Sequence, residues 1–332
     1  MLVAVLLLAG AFGLVNGVHD AGNAIAAPVV TGALRPGPAV VMAAVFHVVG
    51  AVVVGTAVAA TVAGIVDVPA ADALAVVGAA VTGALAWNVA TLWWGIPCSS
   101  GHCLVGALTG AALADGGVHA VNWGGLDGLR PTGVLGSLVW LLLAAVVAVP
   151  MAAAGIRALR RVLARATRAV RGPVRVGDVV ASAGLAFAHG SNDAQKTMGL
   201  MAAALVAGGR LSRFAVPLWV VLTAAGLLTV GTLLGGWRVV RTLGRRIYPL
   251  TSLDGLVSQA SAATIVLVAS LAGAPVSTTD VVAPAIVGTG VGERRRHIRW
   301  AVVGQIGLAW LVTLPVSGAL AALVVPVWRW AR

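Results

Sequence analysis

Two short polar stretches interrupt otherwise apolar segments of this chain, and each contains an Asp. The first, NGVHDAGN at residues 16–23, lies inside an apolar run from Leu2 to about Leu34, and the second, GSNDAQK at residues 190–196, lies inside the run 179–207. A carboxylate near the centre of a bilayer costs about 2.5–3.5 kcal/mol on insertion scales, so such a residue usually has a partner or a function. Polar interruptions at matching places in two halves of a membrane protein indicate a binding site near the midplane.

Two proline-containing turns carry hydroxyl side chains: GIPCSSGH at residues 95–102 and GAPVSTTD at residues 273–280. Each turn leads into an apolar segment, 101–115 or 280–291, that is too short to cross a bilayer comfortably. Irregular backbone at membrane depth must be sheltered from lipid. Both turns are therefore predicted to be the tips of hairpins buried within the protein.

Helix ends and hydroxyls near the midplane would together suit a tetrahedral oxyanion. The first polar stretch is predicted to break its helix at residues 16–17 and the second at Gly190, so that free N–H groups and positive dipole ends face the midplane from opposite sides. A Ser or Thr in a membrane helix can also bond only to backbone or to a neighbouring helix, and for each hydroxyl by itself that alternative stays open. The predicted hydroxyl donors are Ser99, Ser100, Ser277, Thr278 and Thr279.

The amide and carboxylate groups of the polar stretches form a second set of ligands. Asp20, Asn23, Asn192 and Asp193 offer oxygen atoms to a hard cation, or a carboxylate to a proton. An anion and a cation bound together would lower the cost of desolvating both. A single Asp that only bonds a neighbouring helix is the alternative, but a pair of Asp residues at equivalent places favours a binding site.

Lys196 is the only lysine of the chain and follows Asp193 by three residues. It could neutralise Asp193 across one helical turn, occupy the place where a cation would otherwise bind, or contact the anion. The sequence leaves these three roles open.

The histidines and cysteines are interpreted separately. His47 and His189 stand alone on apolar segments and are predicted to be buried and hydrogen-bonded, whereas His102 follows a hairpin tip and has the better claim to a functional role. Because His102 lies between Cys98 and Cys103, a metal site is conceivable. The two cysteines are nevertheless interpreted as small, buried, reduced residues.

Composition identifies an integral membrane protein. Of the 332 residues, 60% are hydrophobic and only 10% are charged, with a mean hydropathy of +1.01, whereas a soluble domain is about 45–50% apolar and about 25% charged. The N-terminus has no basic region, so no cleaved signal peptide is expected. Apolar stretches of about 20 residues predict an all-α polytopic protein rather than a β-barrel. The predicted segments are 2–31 (broken), 39–62, 73–94, 101–115, 133–155, 179–207 (broken), 214–236, 254–272, 280–291 and 298–325.

The arginines support one orientation and argue against a nucleic-acid partner, which the net charge of +12 could otherwise suggest. If the N-terminus is outside and each segment crosses once, 16 arginines fall inside and 5 outside. The loop with Asp67 and Asp72, which contains no arginine, falls outside, in agreement with the positive-inside rule. The basic stretch 156–178 is then a cytoplasmic linker beside anionic lipid.

The linker divides the chain into a transmembrane repeat at 1–155 and a second at 179–332, each with five segments. Because five is odd, the two repeats have opposite orientation. The pair His-Asp at 19–20 aligns with Asn-Asp at 192–193 at an offset of 173 residues. The two hairpin tips also align, at an offset of 178. The fold is therefore predicted to consist of two inverted-topology repeats with broken helices and re-entrant hairpins.

These motifs resemble those of the inorganic phosphate transporter (PiT) family, of the bacterial low-affinity type. GVHDAGNA at 17–24 looks like the family's Gly-x-Asn/His-Asp-x-x-Asn-Ala signature, AHGSNDAQKTMG at 188–199 resembles its second copy in many bacterial members, and PVSTT at 275–279 looks like its second hairpin tip. The resemblance covers essentially the whole chain. It implies a secondary transporter that moves phosphate with a cation. Known members use sodium, or protons with a metal–phosphate complex, and a homodimer is typical.

The chain departs from the family pattern at the tips and at the second polar stretch. Asp280 stands where the family usually has His, and Gly101 stands where Ser or Thr is common. Gln195 and Lys196 replace the Ala-Asn of sodium-coupled members. A fixed ammonium there disfavours a second sodium site, so coupling to protons or to a divalent metal–phosphate complex is the hypothesis.

The sequence therefore predicts a symporter that imports inorganic phosphate across the cell membrane, with sulfate as the alternative substrate. No resident cofactor is expected, only a co-transported H+, Na+ or divalent metal ion, and the identity of any metal is left unknown. The partners are phosphate, the cation, the bilayer and a second copy of the chain. Phosphate is assigned to the five hydroxyls above with Asn192 and Lys196. The cation or proton is assigned to His19, Asp20, Asn23 and Asp193.

Two other classes of protein are weighed against transport. An intramembrane enzyme with Ser100 as nucleophile and His102 as base is disfavoured, because residues two apart on a helix face different ways and a Gly-x-Ser-x-Gly motif is absent from the sequence. A channel would not concentrate its substrate, so uptake against a gradient would exclude it.

Overall fold

The structure is a computed structural model that describes residues 1–96, 98–235, 240, 242, 246–293 and 295–331. Its described part is almost entirely helical, with one short β-hairpin between the fifth and sixth helices. The elements are α1 (Leu2–Val30), α2 (Pro36–Val53), α3 (Ala57–Ala63), α4 (Ala70–Trp94), α5 (Ser100–Gly116), β1 (Gly125–Asp127), β2 (Arg130–Thr132), α6 (Gly133–Val162), α7 (Arg171–Ala207), α8 (Leu218–Leu234), α9 (Ser252–Ala272), α10 (Thr278–Glu293) and α11 (Trp300–Trp330).

Seven helical segments of the described part are long and apolar enough to cross a membrane, and α8 is a shorter apolar helix. The predicted all-α polytopic fold is confirmed. Some sequence predictions lie outside the described residues: Pro97 of the first hairpin tip, the last residue of the span 214–236, and the arginines at 238, 241, 245, 294 and 332.

Two predicted helix breaks are wrong, because α1 and α7 run without interruption through both polar stretches. The glycines at these places allow close packing instead of a break. A Cβ added to Gly17 would lie 2.2 Å from the carbonyl oxygen of Leu228, and one added to Gly190 would lie 2.1 Å from that of His47. Small residues let helix backbones approach in this way.

A helix break occurs instead in the segment that was predicted as a single span at 39–62. The helix α2 ends at Val53, Gly55 adopts a left-handed φ of +97°, and α3 begins at Ala57. The side-chain oxygen of Gln195 accepts the backbone N–H of Val58 at 2.8 Å. A side chain of α7 thus accepts an N–H group at the N-terminus of α3. Such N–H groups need a partner where water cannot supply one.

The two re-entrant hairpins are formed by α4 with α5 and by α9 with α10. Each first helix ends on a glycine with left-handed backbone, Gly95 at φ +68° and Gly273 at φ +79°, which is a common helix C-terminus. The returning helices are short, with 17 residues in α5 and 16 in α10. Each hairpin packs on the last helix of the other repeat, since α5 contacts α11 and α10 contacts α6.

Two apolar clusters enclose the polar stretches. One contains the first half of α1, the second half of α7, and α3, α4, α5 and α8. The other contains the second half of α1, the first half of α7, and α2, α6, α9 and α10. The helices α6 and α7 extend into the stretch 156–178 and leave only 163–170 between them. The division into two repeats and a linker at those boundaries stays a prediction.

Candidate functional site

The two polar stretches meet in one buried layer between the apolar clusters. Asp20 and Asp193 are each 1% exposed, and a ligand atom from each of them lies within 4.8 Å of a ring nitrogen of His189 and of one another. The hairpin tips reach the same layer, where Ser99, Ser277 and the residues that follow them are buried. The continuous helices α1 and α7 supply the acids, and the hairpins supply the hydroxyls.

The tip of the second hairpin is bound to α1 of the first repeat. The Asn23 side-chain amide donates to the hydroxyl oxygens of Thr278 at 3.1 Å and Thr279 at 3.0 Å. The Thr279 hydroxyl donates to Asp20 Oδ1 at 3.0 Å, and Asn23 Nδ2 lies 3.1 Å from the same oxygen. Asp20 is therefore hydrogen-bonded to the tip residue Thr279, and Asn23 contacts both of them.

The tip of the first hairpin is bound to α7 of the second repeat in a corresponding way. The Lys196 ammonium donates to Ser100 Oγ at 3.0 Å and forms an ion pair with Asp193. At the offset of 173 residues, Lys196 is the equivalent of Asn23. Thr278 of the other tip donates to Asp193 Oδ2 at 3.2 Å, so Asp193 contacts both hairpins.

The two central acids are unequally compensated. Asp193 has the Lys196 ammonium on one oxygen and His189 Nε2 at 2.7 Å from the other. Asp20 Oδ2 has no hydrogen-bond partner among the described residues, and His189 Nε2 is 3.9 Å away. A buried charge without a partner is strongly unfavourable. A positive charge beside Asp20, either a proton or a cation, would therefore be favourable.

His189 belongs to this site, although the sequence predicted only that it is buried and hydrogen-bonded. Its Nδ1 lies 2.8 Å from His47 Nε2, and His47 Nδ1 lies 3.0 Å from the Thr232 hydroxyl. The predicted burial and hydrogen bonding of both histidines is confirmed. The missed signal was spacing, since His189 precedes Asp193 by four residues and so lies on the same helix face.

The assignment of Asn192 to phosphate stays a prediction: its side-chain oxygen has no hydrogen-bond partner among the described residues, whereas its side-chain nitrogen is engaged by the second hairpin. Its side-chain amide donates to Ser270 Oγ at 3.0 Å and to the Ala274 carbonyl at 2.9 Å, which occupies both N–H hydrogens. Asn192 thus holds the second hairpin tip in place. It points toward the end of α9 because α7 and α9 pack closely along this face.

The remaining predicted residues have mixed surroundings. His19 Nδ1 is 3.9 Å from Asp20 Oδ1. Ser277 Oγ is buried and without a hydrogen-bond partner in the part of the chain that the structure describes, so it is available to a ligand. Ser99 instead donates to Asp280 Oδ2 at 2.5 Å and caps α5 by accepting the N–H of His102. Asp280, noted in the sequence only as a departure from a family pattern, is thus a third carboxylate of the layer.

The ligand atoms of Cys98, His102 and Cys103 are not gathered into a group that could hold a metal ion in the part of the chain that the structure describes. Cys98 Sγ lies 3.4 Å from the Thr313 hydroxyl, and Cys103 Sγ lies 3.4 Å from the Ala84 carbonyl oxygen. Both cysteines are buried and free, as predicted.

Comparison with known proteins shows which family this chain belongs to. The description "Phosphate transporter family" belongs to a family model that matches residues 16–172 and again 163–321 of this chain. The chain belongs to the phosphate transporter family. The predicted resemblance is thereby confirmed, and the protein is a transporter rather than an enzyme. Its described residues include seven helices long and apolar enough to cross a membrane, and it is a multi-pass protein of the plasma membrane.

Curated relatives and one solved structure cover nearly the whole chain. It is 39% identical to the "Probable low-affinity inorganic phosphate transporter" of Mycobacterium bovis, over 97% of this chain and 76% of the relative. Proteins of the same description from Rhizobium meliloti and Bacillus subtilis are 38% and 34% identical, over 97% of this chain and 95% of each relative. A structure titled "The sodium-dependent phosphate transporter" matches with a TM-score of 0.85 and 22% identity, over 99% of both chains, and so shares the fold.

Proposed function

We propose that this phosphate transporter family member imports inorganic phosphate by symport, with the anion bound between the hairpin tips and a positive charge beside Asp20. The observation that carries the proposal is the buried Asp20 carboxylate at the second tip, whose Oδ2 has no hydrogen-bond partner among the described residues. The names of the curated relatives support phosphate as the substrate.

The hairpin tips have the chemistry that phosphate requires. The helices α5 and α10 begin at the tips, so their first N–H groups and positive dipole ends favour an anion there. Hydroxyls of Ser100, Ser277 and Thr278 add donors beside these helix ends. Lys196, in contact with Ser100, supplies a positive charge on the side of the first tip.

Charge counting supports obligatory coupling to a cation. When ionised, Asp20, Asp193 and Asp280 carry three negative charges in this layer, and Lys196 offsets one of them. A phosphate anion that enters this buried layer would add further negative charge, which is costly at low dielectric. A proton or a cation beside Asp20 removes the repulsion, so the anion and the positive charge bind more strongly together than either does alone.

A proton or a divalent metal–phosphate complex is the proposed coupling species, in preference to sodium. Of the two repeat-equivalent positions, Asn23 offers a neutral oxygen ligand, whereas Lys196 offers an ammonium. A sodium site at Asp193, the repeat equivalent of one at Asp20, is therefore disfavoured by the charge of Lys196. The cluster of Asp20, His189 and Asp193 has the ligand types for a divalent ion if Lys196 moves aside.

Transport would require the hairpin tips to separate so that the site opens first to one side of the membrane and then to the other. The predicted site residues are at most 3% exposed, so phosphate cannot reach them in this arrangement. Two inverted repeats provide two equivalent ways to open around one central site. We include the homodimer in the proposal on the basis of family resemblance, and chemical cross-linking in membranes tests it.

The coupling proposal is tested with purified protein in liposomes and radiolabelled phosphate. A pH gradient or Mg2+ is expected to drive uptake above that of empty liposomes, whereas a sodium gradient alone is not. Uptake driven by sodium alone, without a response to pH or Mg2+, would overturn the coupling assignment and leave phosphate transport intact.

Sulfate is the alternative substrate and is distinguished by proton chemistry. Monohydrogen phosphate carries a proton at neutral pH that a carboxylate can accept, whereas sulfate carries none. Asp20 Oδ2, which has no hydrogen-bond partner in the part of the chain that the structure describes, is a suitable acceptor. Excess unlabelled phosphate is therefore expected to abolish labelled uptake, and excess sulfate to leave it nearly unchanged. Equal competition by both anions would contradict the phosphate assignment.

A further inference from the structure

Buried polar side chains continue from the central acids along α7 toward its first residues. Asp178, Ser182, His189 and Asp193 are spaced by four, seven and four residues, so they lie on one face of the helix. All four are at most 1% exposed. From the rise of an α-helix, Asp178 lies about 22 Å along α7 from Asp193. In the predicted orientation, this face therefore joins the central site to the cytoplasmic side.

The helices α9 and α1 add polar groups to the same row. A Cβ added to Gly255 of α9 would lie 2.6 Å from Asp178 Oδ1, so α9 passes directly beside that carboxylate. One turn further along α9, the Gln259 side-chain amide donates to the Asn23 carbonyl oxygen of α1 at 3.2 Å. Asn23 Nδ2 in turn lies 3.1 Å from Asp20 Oδ1. Three side chains that lead from this point to the cytoplasmic side are named the inner track: Asp178, Ser182 and Gln259.

The inner track contains buried oxygen atoms that the protein does not satisfy. Asp178 Oδ2 accepts the Thr31 hydroxyl at 2.7 Å. Asp178 Oδ1, Ser182 Oγ and Gln259 Oε1 have no hydrogen-bond partner among the described residues. Buried polar atoms of this kind are unfavourable unless water or an ion satisfies them. Because carboxylate and amide oxygens only accept hydrogen bonds, the track favours water and positive charge and disfavours an anion.

The equivalent positions of the first repeat are apolar, so the fold does not require polar groups at these places. At the offset of 173 residues, Asp178 and Ser182 correspond to Val5 and Ala9 of α1. At the offset of 178, the glutamine of the track corresponds to Val81 of α4. These three apolar residues are each 0% exposed and belong to one apolar cluster. In the predicted orientation, the polar groups are thus confined to the inner half, where a co-transported charge must leave during import.

We propose that the inner track is the cytoplasmic release route of the coupling cation or proton, with Asp178 at its end. The positive charge moves from Asp20 past Gln259 and Ser182, while water and the oxygen atoms of the track replace its central ligands. Phosphate is repelled by the Asp178 carboxylate and leaves between the separated hairpin tips instead. This inference rests on the proposed function and concerns how fast the positive charge leaves, so the number of charges per phosphate is unaffected.

Cysteine labelling tests the route without requiring transport. In inside-out membrane vesicles, Ser182→Cys is expected to react with a positively charged methanethiosulfonate. In right-side-out vesicles, Ala9→Cys is expected to be protected from the same reagent. Both positions are 0% exposed, so burial alone predicts equal protection. The native cysteines are buried, and the unchanged protein measures their background. Equal protection of the two introduced cysteines would overturn the release route.

The charge preference of this labelling isolates the role of Asp178. At Ser182→Cys, the ratio of the reaction rates with a cationic and an anionic reagent is expected to fall about tenfold when Asp178→Asn is added, because a carboxylate one helical turn away attracts the cation. The new side chain can still accept the Thr31 hydroxyl, so the contact with α1 remains. A ratio that does not change would refute the assignment of Asp178.

Transport rates in right-side-out vesicles give a second test that leaves Ser182 unchanged. Asp178→Asn is expected to slow net phosphate uptake about tenfold, because the charge that draws the cation outward from the site is gone. Exchange of internal for external labelled phosphate should be retained, because phosphate can exchange while the positive charge stays bound. Thr31→Val is the matched control: it removes the hydrogen bond, keeps the carboxylate and should leave both rates unchanged.

The driving condition identifies which positive charge uses the track. Slower uptake under a pH gradient alone supports a proton, and slower uptake with Mg2+ alone supports the metal ion. An equal loss of net uptake and exchange in Asp178→Asn would mean that this residue only fastens α1 to α7, and would overturn the proposal. Absence of net uptake by the unchanged protein would instead count against the proposed function, and the labelling result would still decide the route.

Discussion

At the scale of single residues, the two central acids have different surroundings although they occupy equivalent repeat positions. Asp193 is paired with Lys196, whereas Asp20 retains an oxygen without a hydrogen-bond partner in the described structure. The difference arises because the position three residues after each acid is Lys in one repeat and Asn in the other. The two acids are therefore expected to respond differently to removal of their charge.

Asp20→Asn is expected to abolish concentrative phosphate uptake while the protein remains folded. The Asn oxygen can still accept the hydrogen bonds of Asn23 and Thr279, but the negative charge that requires a cation is gone. Uptake in liposomes and thermal unfolding in detergent check both parts. Asp127→Asn, in the exposed hairpin of β1 and β2, is the matched control. Normal uptake by Asp20→Asn would remove this residue from the site.

Asp193→Asn is expected to lose both uptake and stability. It leaves the buried Lys196 ammonium unpaired, and breaking a buried ion pair from one side costs about 3–5 kcal/mol. Lys196→Met on the same background removes that unpaired charge and should recover much of the stability without restoring uptake. The midpoint of thermal unfolding is the measurement. A double variant no more stable than Asp193→Asn would argue against the ion pair.

Lys196→Asn gives the second repeat the same side chain as Asn23 of the first. It tests whether the Lys196 ammonium takes the place of a bound sodium ion beside Asp193. Without the ammonium, Asp193 needs another positive charge, and a sodium ion can supply it. NaCl is therefore expected to raise the unfolding temperature of this variant more than KCl does, whereas the unchanged protein should respond equally to both salts. Equal responses in the variant would contradict the idea that Lys196 replaces a cation.

At the scale of helices, glycine decides how closely the elements approach. The sequence interpretation treated Gly17 and Gly190 as helix breaks, which fits their low helix propensity. In the structure both lie inside continuous helices, where backbone atoms of neighbouring helices occupy the space that a side chain would need. The break occurs at Gly55, where the backbone is left-handed.

Gly17→Ala is therefore expected to destabilise the protein by about 1–3 kcal/mol, the usual cost of overpacking. The added Cβ would lie 2.2 Å from the Leu228 carbonyl oxygen on α8, and backbone cannot move aside cheaply. Gly226→Ala, on the same α8, meets no atom within 4 Å and should be neutral or stabilising, by up to about 1 kcal/mol from helix propensity. Thermal unfolding of the two variants compares them. A stable Gly17→Ala protein would support the original interpretation as a break.

At the scale of the whole molecule, two inverted repeats exchange their contacts. Asn23 of the first repeat holds the tip of the second hairpin, and Lys196 of the second repeat holds the tip of the first. Each hairpin also packs on the last helix of the opposite repeat. Movement of either hairpin would therefore alter both halves of the central site together.

The predicted membrane orientation is tested at this scale with single introduced cysteines. Arg210→Cys is expected to react with a membrane-impermeant maleimide added to intact cells, and Arg165→Cys only after the cells are opened. The native Cys98 and Cys103 are buried and should contribute little background labelling. The reverse pattern would invert the topology without affecting the description of the site.

The amino-acid sequence by itself determined the membrane fold class, the inverted repeat, the hairpin tips and the Asp residues of the candidate site. Each of these features can be recognised from the order of residues along the chain. The signals are the length of an apolar run, a constant offset between motifs, and a charged residue inside an apolar segment. Only the tertiary structure decided that α1 and α7 are continuous, that Asn192 holds a tip, and that His189 and Asp280 join the polar layer. Those outcomes depend on which backbone or side chain approaches from a distant part of the chain, and neither spacing nor propensity within one segment contains that information.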